Sequence, residues 1–180
     1  MHKRCLVLGS ALCVWKDVDA ALELSEFEGV VAAKRAGVLW RGELDAWVTL
    51  HPDRFKRDME ERAMNGYAPA KRVYSHMTEK RYPGITHQLQ YRFKEQNNSG
   101  SSGLFAVKVA LELGFTRLVL CGIPLSRKEG KLGFGSRWNN AEMFKRGFKE
   151  AFPLIRDYTR SMSGWTAELL GKPTEQWLTE

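Results

Sequence analysis

The chain's most suggestive segment for chemistry is the serine- and glycine-rich run at residues 99–103, which directly precedes an apolar stretch at residues 104–113. Apolar side chains at that density predict a buried helix. A helix start presents free backbone N–H groups at the positive end of the helix dipole, where a phosphate or a sugar hydroxyl binds well. Ser101, Ser102 and Gly103 are therefore candidate nucleotide-binding residues, and Ser102 is also the expected N-cap of the helix.

Further candidates follow the predicted strands, because ligands of parallel α/β sheets bind outside the carboxyl ends of the strands. The candidates for nucleotide binding at these positions are Gly9, Ser10, Lys34, Arg35, Gly122 and Ser163. Adjacent side chains on an extended chain face opposite ways, so one of Lys34 and Arg35 is expected to point inward and offset phosphate charge. The turn after the first strand lacks a GxGxxG pattern, which argues against a standard dinucleotide site.

His51 is the candidate catalytic residue. It follows a predicted strand, and Pro52 keeps its backbone extended, which could aim the ring into the crevice. Imidazole titrates near neutral pH, as a general base requires. The alternative is a structural or surface histidine, which is the commoner role of a lone histidine. His76 and His87 have no carboxylate at metal-ligand spacing, so neither a metal nor a cofactor is expected.

The elements that must position these residues are predicted from apolar runs and their boundaries. Six strands are predicted, at residues 4–8, 29–33, 46–50, 72–75, 117–122 and 157–162. Helices are predicted at residues 14–25, 52–66, 104–113 and 139–152, and after Ser163; the fourth is capped by Asn139 or Asn140 and stops before Pro153. Long loops are predicted at residues 78–102 and 126–137. The predicted fold class is α/β, with a Rossmann-like, mostly parallel sheet of about six strands flanked by helices.

The composition indicates one folded domain over residues 1–180. With 180 residues and 43% hydrophobic side chains, the chain can bury one sizeable core. No stretch approaches the roughly 18 to 20 apolar residues of a membrane span, and the start has no cleavage-site pattern, so a cytoplasmic location in a bacterial host is expected. Cys5, Cys13 and Cys121 form no CxxC pair, so neither a disulfide nor a zinc site is expected.

The net charge of +7 favours encounters with phosphates on a nucleotide, a nucleic acid or an anionic surface. Tyr82, Tyr91 and Phe93 stand among basic residues and have the character of a base-stacking surface. Nucleic-acid binding through the basic loops is therefore an alternative. Exposed aromatic residues would also be compatible with a homodimer.

The order of the segments LVLGSA, GVVAAKRAG, DAWVTLHPDRF and SGSSGLFAVKVALELGFTRLVLCGIPL resembles a Rossmann-like group of proteins. That group includes the bacterial sialyltransferases that use CMP-sugar donors and the related DUF115 proteins of motility and glycosylation loci. The counterparts of its Ser-Gly pair, its Leu-Gly stop and its Gly-Ile strand end are Ser102-Gly103, Leu113-Gly114 and Gly122-Ile123. The resemblance implies that Gly9, Ser10, Ser102 and Gly103 line a nucleotide site.

The chain also departs from this group. Pro124 stands where the family has an aspartate, and the asparagine expected after the second strand is replaced near Lys34 and Arg35. The tyrosine pair and the histidine base of the sialyltransferases have no clear match. The whole pattern, including RSMSGWTAELLG, also resembles small proteins of tailed phages and prophages.

These observations favour a nucleotide- or nucleotide-sugar-binding protein. In the leading interpretation it is a glycosyltransferase-like enzyme of phage or prophage origin, with phosphates on the helix start, charge offset by Lys34 or Arg35, and His51 as base. The second interpretation is a non-catalytic protein that sequesters or senses a nucleotide. The third is a nucleic-acid-binding phage accessory protein.

Overall fold

The computed structural model describes residues 2–77, 82–133 and 139–180. The strands in these ranges are β1 (Arg4–Leu8), β2 (Gly29–Ala33), β3 (Ala46–Thr49), β4 (Val73–Ser75), β5 (His87–Gln88), β6 (Arg117–Cys121) and β7 (Thr159–Ser161). They form one sheet in the order β5-β4-β3-β2-β1-β6-β7, and every neighbouring pair is parallel. The predicted α/β class with a Rossmann-like parallel sheet is confirmed, with seven strands rather than about six.

Helices connect the strands and cover both faces of the sheet. They are α1 (Val14–Leu24), α2 (Arg35–Leu39), α3 (Pro52–Met64), α4 (Ser101–Glu112), α5 (Ala141–Ile155), α6 (Gly164–Leu170) and α7 (Glu175–Thr179). Alternate strand residues face opposite sides, so Cys5 and Val7 pack with α4 and α5, whereas Leu6 and Leu8 pack with α1, α2 and α3. No helix within the described ranges is both long enough and apolar enough to cross a membrane.

The strand order reverses at β1. From this strand the chain builds outward to β5 on one side and then returns through α4 to add β6 and β7 on the other side. Such a switch point leaves a crevice at the carboxyl ends of the two central strands, because the connections leave in opposite directions. The crevice next to β1 and β6 is therefore where a ligand site is expected.

Two predictions about elements away from the crevice are wrong. The fourth predicted helix does not stop before Pro153, since α5 runs through it to Ile155. The proline lies exposed in the last helical turn, and buried Phe148, Ala151 and Ile155 hold that turn against the core. Asn140 occupies the N-cap position of α5, but its side chain makes no capping hydrogen bond.

The other error is a strand within the predicted loop at residues 78–102. β5 pairs there with β4 at the sheet edge, with His87 opposite Tyr74. Both residues of β5 are exposed and polar, so no apolar pattern indicates the strand. Residues 78–81 of that loop and residues 134–138 of the loop predicted at 126–137 lie outside the described residues.

Candidate active site

A cleft of about 1140 Å³ lies at the carboxyl ends of the central strands. It brings together eight of the ten candidate residues, which are Gly9, Ser10, Lys34, Arg35, His51, Ser101, Ser102 and Gly103. They come from the turns after β1, β2 and β3 and from the start of α4. Parallel strands end at one edge of the sheet, which is why residues far apart in sequence meet there.

The first turn of α4 contains a buried serine hydroxyl that forms no hydrogen bond with a described residue. The side chain of Ser102 is 3% exposed, and its Oγ has no hydrogen-bond partner among the described residues. The expectation that Ser102 caps the helix is wrong, because Gly100 is the N-cap and α4 begins one residue before Ser102. Ser101, at φ +69°, accepts a hydrogen bond at its Oγ from the Gly103 N–H instead (3.2 Å). Ser102 is thus left available for a ligand.

Lys34 is a cation of the cleft that forms no ion pair with a described residue. It lies between β2 and α2 at φ +48°, so the expectation of an extended chain with Lys34 and Arg35 on opposite sides is wrong, and both line the cleft. Its carbonyl oxygen accepts from the Trp47 indole N–H (2.9 Å), which fixes the backbone. Burial, followed by the nearby positive charges of Lys131 and Arg54, lowers the pKa of the Lys34 ammonium. No carboxylate in the described part of the chain lies within ion-pair distance of Lys34.

Arg35 is paired, in contrast to Lys34. Its Nη1 and Nη2 donate to the two carboxylate oxygens of Glu61 at 2.5 and 2.6 Å, and Asp58 Oδ1 lies 3.4 Å from Nη1. The hydrogen bonds that Arg35 donates to Glu61 raise the pKa of Arg35 and lower the pKa of Glu61. This bidentate pair joins α2 to α3 along the wall of the cleft.

Gly9 and Ser10 shape the cleft through their packing. A Cβ on Gly9 would lie 2.3 Å from the Gly122 carbonyl oxygen, so only glycine fits between the ends of β1 and β6. Ser10 Oγ donates to the Ala33 carbonyl (2.9 Å) and accepts from the Ala36 N–H (3.3 Å). The Ser10 hydroxyl therefore holds the turn after β2, and its backbone remains the part that a ligand can approach.

Gly122 and Ser163 do not line this cleft. Both bond to buried Asp17, whose Oδ2 accepts from the Gly122 N–H at 2.8 Å and from Ser163 Oγ at 2.6 Å. Ser163 precedes α6 as expected but makes no capping bond; it borders a separate cavity of about 660 Å³. Cys13 also borders that cavity, and burial raises the pKa of its thiol to about 12, so the thiol is unreactive at neutral pH.

His51 stands at the rim of the cleft as the residue before α3. Its backbone N–H donates to Thr49 Oγ1 (3.0 Å), and its ring makes no hydrogen bond with a described residue. Partial desolvation, and then the charge of Lys34, lowers the pKa of His51. The imidazole is consequently neutral at physiological pH, in the form that accepts a proton.

Several residues of the cleft were not among the candidates. Arg54, Arg57, Asp58 and Glu61 extend into it from α3, and Lys131 comes from the loop after β6. The helical spacing of the α3 residues is a signal that they share one face. No local sequence pattern indicates that Lys131 lies in the cleft. The Leu132 N–H donates a hydrogen bond to the Ser10 carbonyl oxygen (2.9 Å), and this bond holds the loop against the turn after β1.

The predicted base-stacking surface is not assembled in the described residues. Tyr91 and Phe93 pack against the core on the α4 side of the sheet, whereas Tyr82 packs against the core on the opposite side. These aromatic rings therefore pack on opposite faces of the sheet and do not form one surface on which bases could stack.

The parallel sheet and the cleft at its switch point define a Rossmann-like α/β protein, and the fold is sialyltransferase-like. Sialyltransferase CstII from Campylobacter jejuni in complex with cytidine-5'-monophosphate is similar, with a TM-score of 0.69 and 13% identity over 97% of this chain and 87% of that chain. CstII with a trisaccharide acceptor and CMP has a TM-score of 0.67 at 12% identity, covering 99% of this chain and 88% of that chain.

The monofunctional alpha-2,3-sialyltransferase Cst-I from Campylobacter jejuni has the same fold, with a TM-score of 0.63 and 12% identity over 99% of this chain and 82% of that chain. No family model and no curated protein matches the sequence. At these identities the likeness establishes the fold.

Proposed function

We propose that the chain binds a nucleotide or nucleotide-sugar in the cleft and is a glycosyltransferase-like enzyme. The observation that carries the proposal is the buried Ser102 Oγ at the start of α4, which has no hydrogen-bond partner among the described residues. It lies in the same cleft as Lys34. A buried hydroxyl without a partner costs about 1–3 kcal/mol. A phosphate at this position would accept a hydrogen bond from Ser102 and interact with the helix N-terminus and Lys34.

The proposed reaction transfers the sugar to an acceptor hydroxyl. His51 accepts the proton of that hydroxyl, its oxygen bonds to the sugar carbon, and the bond from this carbon to the phosphate oxygen breaks. The charge left on the departing nucleotide is offset by Lys34 and the N-terminus of α4. The lowered pKa of His51 supports this role, since the ring is neutral before the transfer. Two of these structural neighbours, both CstII, were solved with CMP, which is compatible with a nucleotide in this cleft.

A thermal-shift screen against nucleoside mono- and diphosphates and nucleotide-sugars tests binding. A ligand that binds only the folded state raises Tm, by an amount that grows with its concentration. A shift for one base family is expected. The absence of any shift across the whole panel would overturn the proposal.

Hydrolysis of the nucleotide-sugar that binds, measured without acceptor, tests catalysis. Water then replaces the acceptor, so slow turnover is expected, and His51→Ala is expected to abolish turnover while leaving the thermal shift intact. His87→Ala, which removes an exposed ring on edge strand β5, is the matched control. If His51→Ala and His87→Ala reduced turnover equally, the role of His51 as base would be contradicted.

The second candidate function is a non-catalytic protein that sequesters or senses a nucleotide. It is favoured by the ring of His51, which has no carboxylate partner to orient it in the described part of the chain. Tight binding without any turnover would identify this function. A phage or prophage origin rests on the sequence pattern alone.

A further inference from the structure

The separate cavity of about 660 Å³ is lined by residues of α1 and α6 and by the segments before and after α6. We propose that it binds a free α-amino acid, whose ammonium group pairs with Asp17 and whose carboxylate meets Lys16 and Lys172. A cavity of this size that combines apolar surface with a few charged groups suits a small polar ligand. The apolar surface comes from Ala20, Met162, Ala167 and Pro173.

Asp17 is a buried carboxylate that forms no ion pair with a described residue. It is 6% exposed, and it lines the cavity. Its Oδ2 accepts hydrogen bonds from the Gly122 N–H and the Ser163 hydroxyl, which are both uncharged. The Cys13 thiol beside it is also neutral, because burial raises the pKa of this thiol to about 12. Oδ1 accepts no hydrogen bond from a described N–H or hydroxyl group.

The missing partner of Asp17 is a cation that a ligand can bring. Buried charges in proteins are paired with an opposite charge or bound to a metal ion, because an isolated ion loses its hydration. No group of three or more His, Cys, Asp and Glu side chains in the described ranges could hold a metal ion. An ammonium group, in contrast, needs only one carboxylate, to which it donates a charge-assisted hydrogen bond. The cation that fits Asp17 is therefore an ammonium group.

The other charged side chains of the cavity indicate what else the ligand carries. Lys16, next to Asp17 on α1, and Lys172, after α6, are exposed and form no ion pair with a described residue. With Glu168 on α6, the described lining has two basic and two acidic side chains. A balanced lining favours a ligand without net charge, and a carboxylate on that ligand would meet the two lysines. The ligand that has both groups is an amino acid.

The test begins with a thermal-shift screen of the protein against the common α-amino acids, since a ligand of the folded state raises Tm. Isothermal titration calorimetry then measures the affinity of the amino acid that binds. The same measurement is made with its N-acetyl derivative, which lacks the ammonium group, and with its α-amide, which lacks the carboxylate. Each derivative is expected to bind about tenfold more weakly or worse, because one charge-assisted hydrogen bond is lost.

A pair of variants of α1 assigns the ammonium group to Asp17. Asp17→Asn removes the negative charge and keeps an oxygen that can accept from Gly122 or Ser163, and it should weaken binding by about tenfold. Asp19→Asn removes a charge from an exposed side chain of the same helix and should leave the affinity unchanged. Unchanged affinity in Asp17→Asn, with circular dichroism showing a folded variant, overturns the inference.

The remaining outcomes need only the wild-type protein, so they stand even if Asp17→Asn does not fold. If none of the amino acids binds, the inference is overturned. It is also overturned if either derivative binds as tightly as the parent amino acid. None of these results bears on the nucleotide site of the proposed function, because the screen and the titrations contain no nucleotide.

Discussion

Arg35 and Glu61 form a bidentate ion pair along the wall of the cleft, with 2.5 Å from Nη1 to Oε2 and 2.6 Å from Nη2 to Oε1. The pair links the short helix α2 to α3 and holds in place the segment that carries Lys34. Because Glu61 accepts hydrogen bonds from both terminal nitrogens of its guanidinium, Arg35 contributes to the architecture of the site. Lys34, its neighbour in sequence, has no ion pair with a described carboxylate and is therefore a cation that a ligand can meet.

Loss of this pair is expected to destabilise the protein. The two side chains are 17% and 32% exposed, so the contribution lies between that of a surface pair and that of a buried one. Glu61→Gln should lower the free energy of unfolding by about 1–2 kcal/mol, measured by urea denaturation at neutral pH. Glu60→Gln, on the same helix but 60% exposed, is the control and should change it by less than about 0.5 kcal/mol. An equal decrease in the free energy of unfolding for Glu61→Gln and Glu60→Gln would show that the Arg35–Glu61 pair stabilises the protein no more than a surface pair does.

The same pair predicts how stability depends on pH. The hydrogen bonds from Arg35 hold the pKa of the Glu61 carboxyl below its ordinary value. A carboxyl whose pKa is lowered in the folded state contributes fully above its ordinary pKa, and the contribution is lost as the pH falls through the lowered value. The difference in stability between the wild type and Glu61→Gln should therefore shrink in acid. A difference that stays constant from neutral to acidic pH would contradict this.

Gly9 is expected to be required for folding of the turn after β1. In Gly9→Ala, the new Cβ would lie 2.3 Å from the Gly122 carbonyl oxygen and 2.4 Å from Ile123 Cγ1. Such overpacking costs about 1–3 kcal/mol, which thermal denaturation can detect. Gly130→Ala is the control, because its Cβ would meet only the end of the Leu12 side chain, which is 55% exposed and can move. If Gly9→Ala retained wild-type stability, the close contact between the two strand ends would be disproved.

Arg62 is expected to be a structural residue, although it is charged. It is 1% exposed, and its guanidinium donates to the carbonyl oxygens of Gly37, Trp40, Gly42 and Ala68. Arg62→Leu leaves these acceptors without a donor and should lower stability by about 3 kcal/mol or more.

An exposed arginine of the same helix provides the comparison for Arg62. Arg57→Leu should change the free energy of unfolding by less than about 0.5 kcal/mol, because the side chain of Arg57 is exposed. Similar denaturation midpoints for Arg57→Leu and Arg62→Leu would refute the structural role of Arg62.

The fold was largely predictable because the central strands are buried and apolar. β1, β2, β3 and β6 each appear as an apolar run that ends at a turn residue. β5 could not be predicted, since it consists of two exposed polar residues that are ordered only by pairing with β4. The start of α4 was placed too late, because the buried residues of its first turn are small and give no apolar signal.

The location of the candidate site was predictable, because it follows from the parallel arrangement of the strands. Ser10, Lys34 and His51 follow strands and therefore meet at one edge of the sheet. Their hydrogen-bond partners were not predictable, because these are set by contacts between distant segments. Asp17, on α1, bonds to Gly122 and Ser163 and directs both of them away from the cleft, and no local pattern indicates this.

The most direct test of a phosphate site at the start of α4 is the thermal stability of Ser102→Ala with and without the bound nucleotide. The variant removes a buried hydroxyl that has no partner in the described protein, so without ligand its Tm should equal or slightly exceed that of the wild type. The shift that the nucleotide produces should fall sharply, because one hydrogen bond to phosphate is lost. A lower Tm without ligand, together with an undiminished shift, would contradict the account.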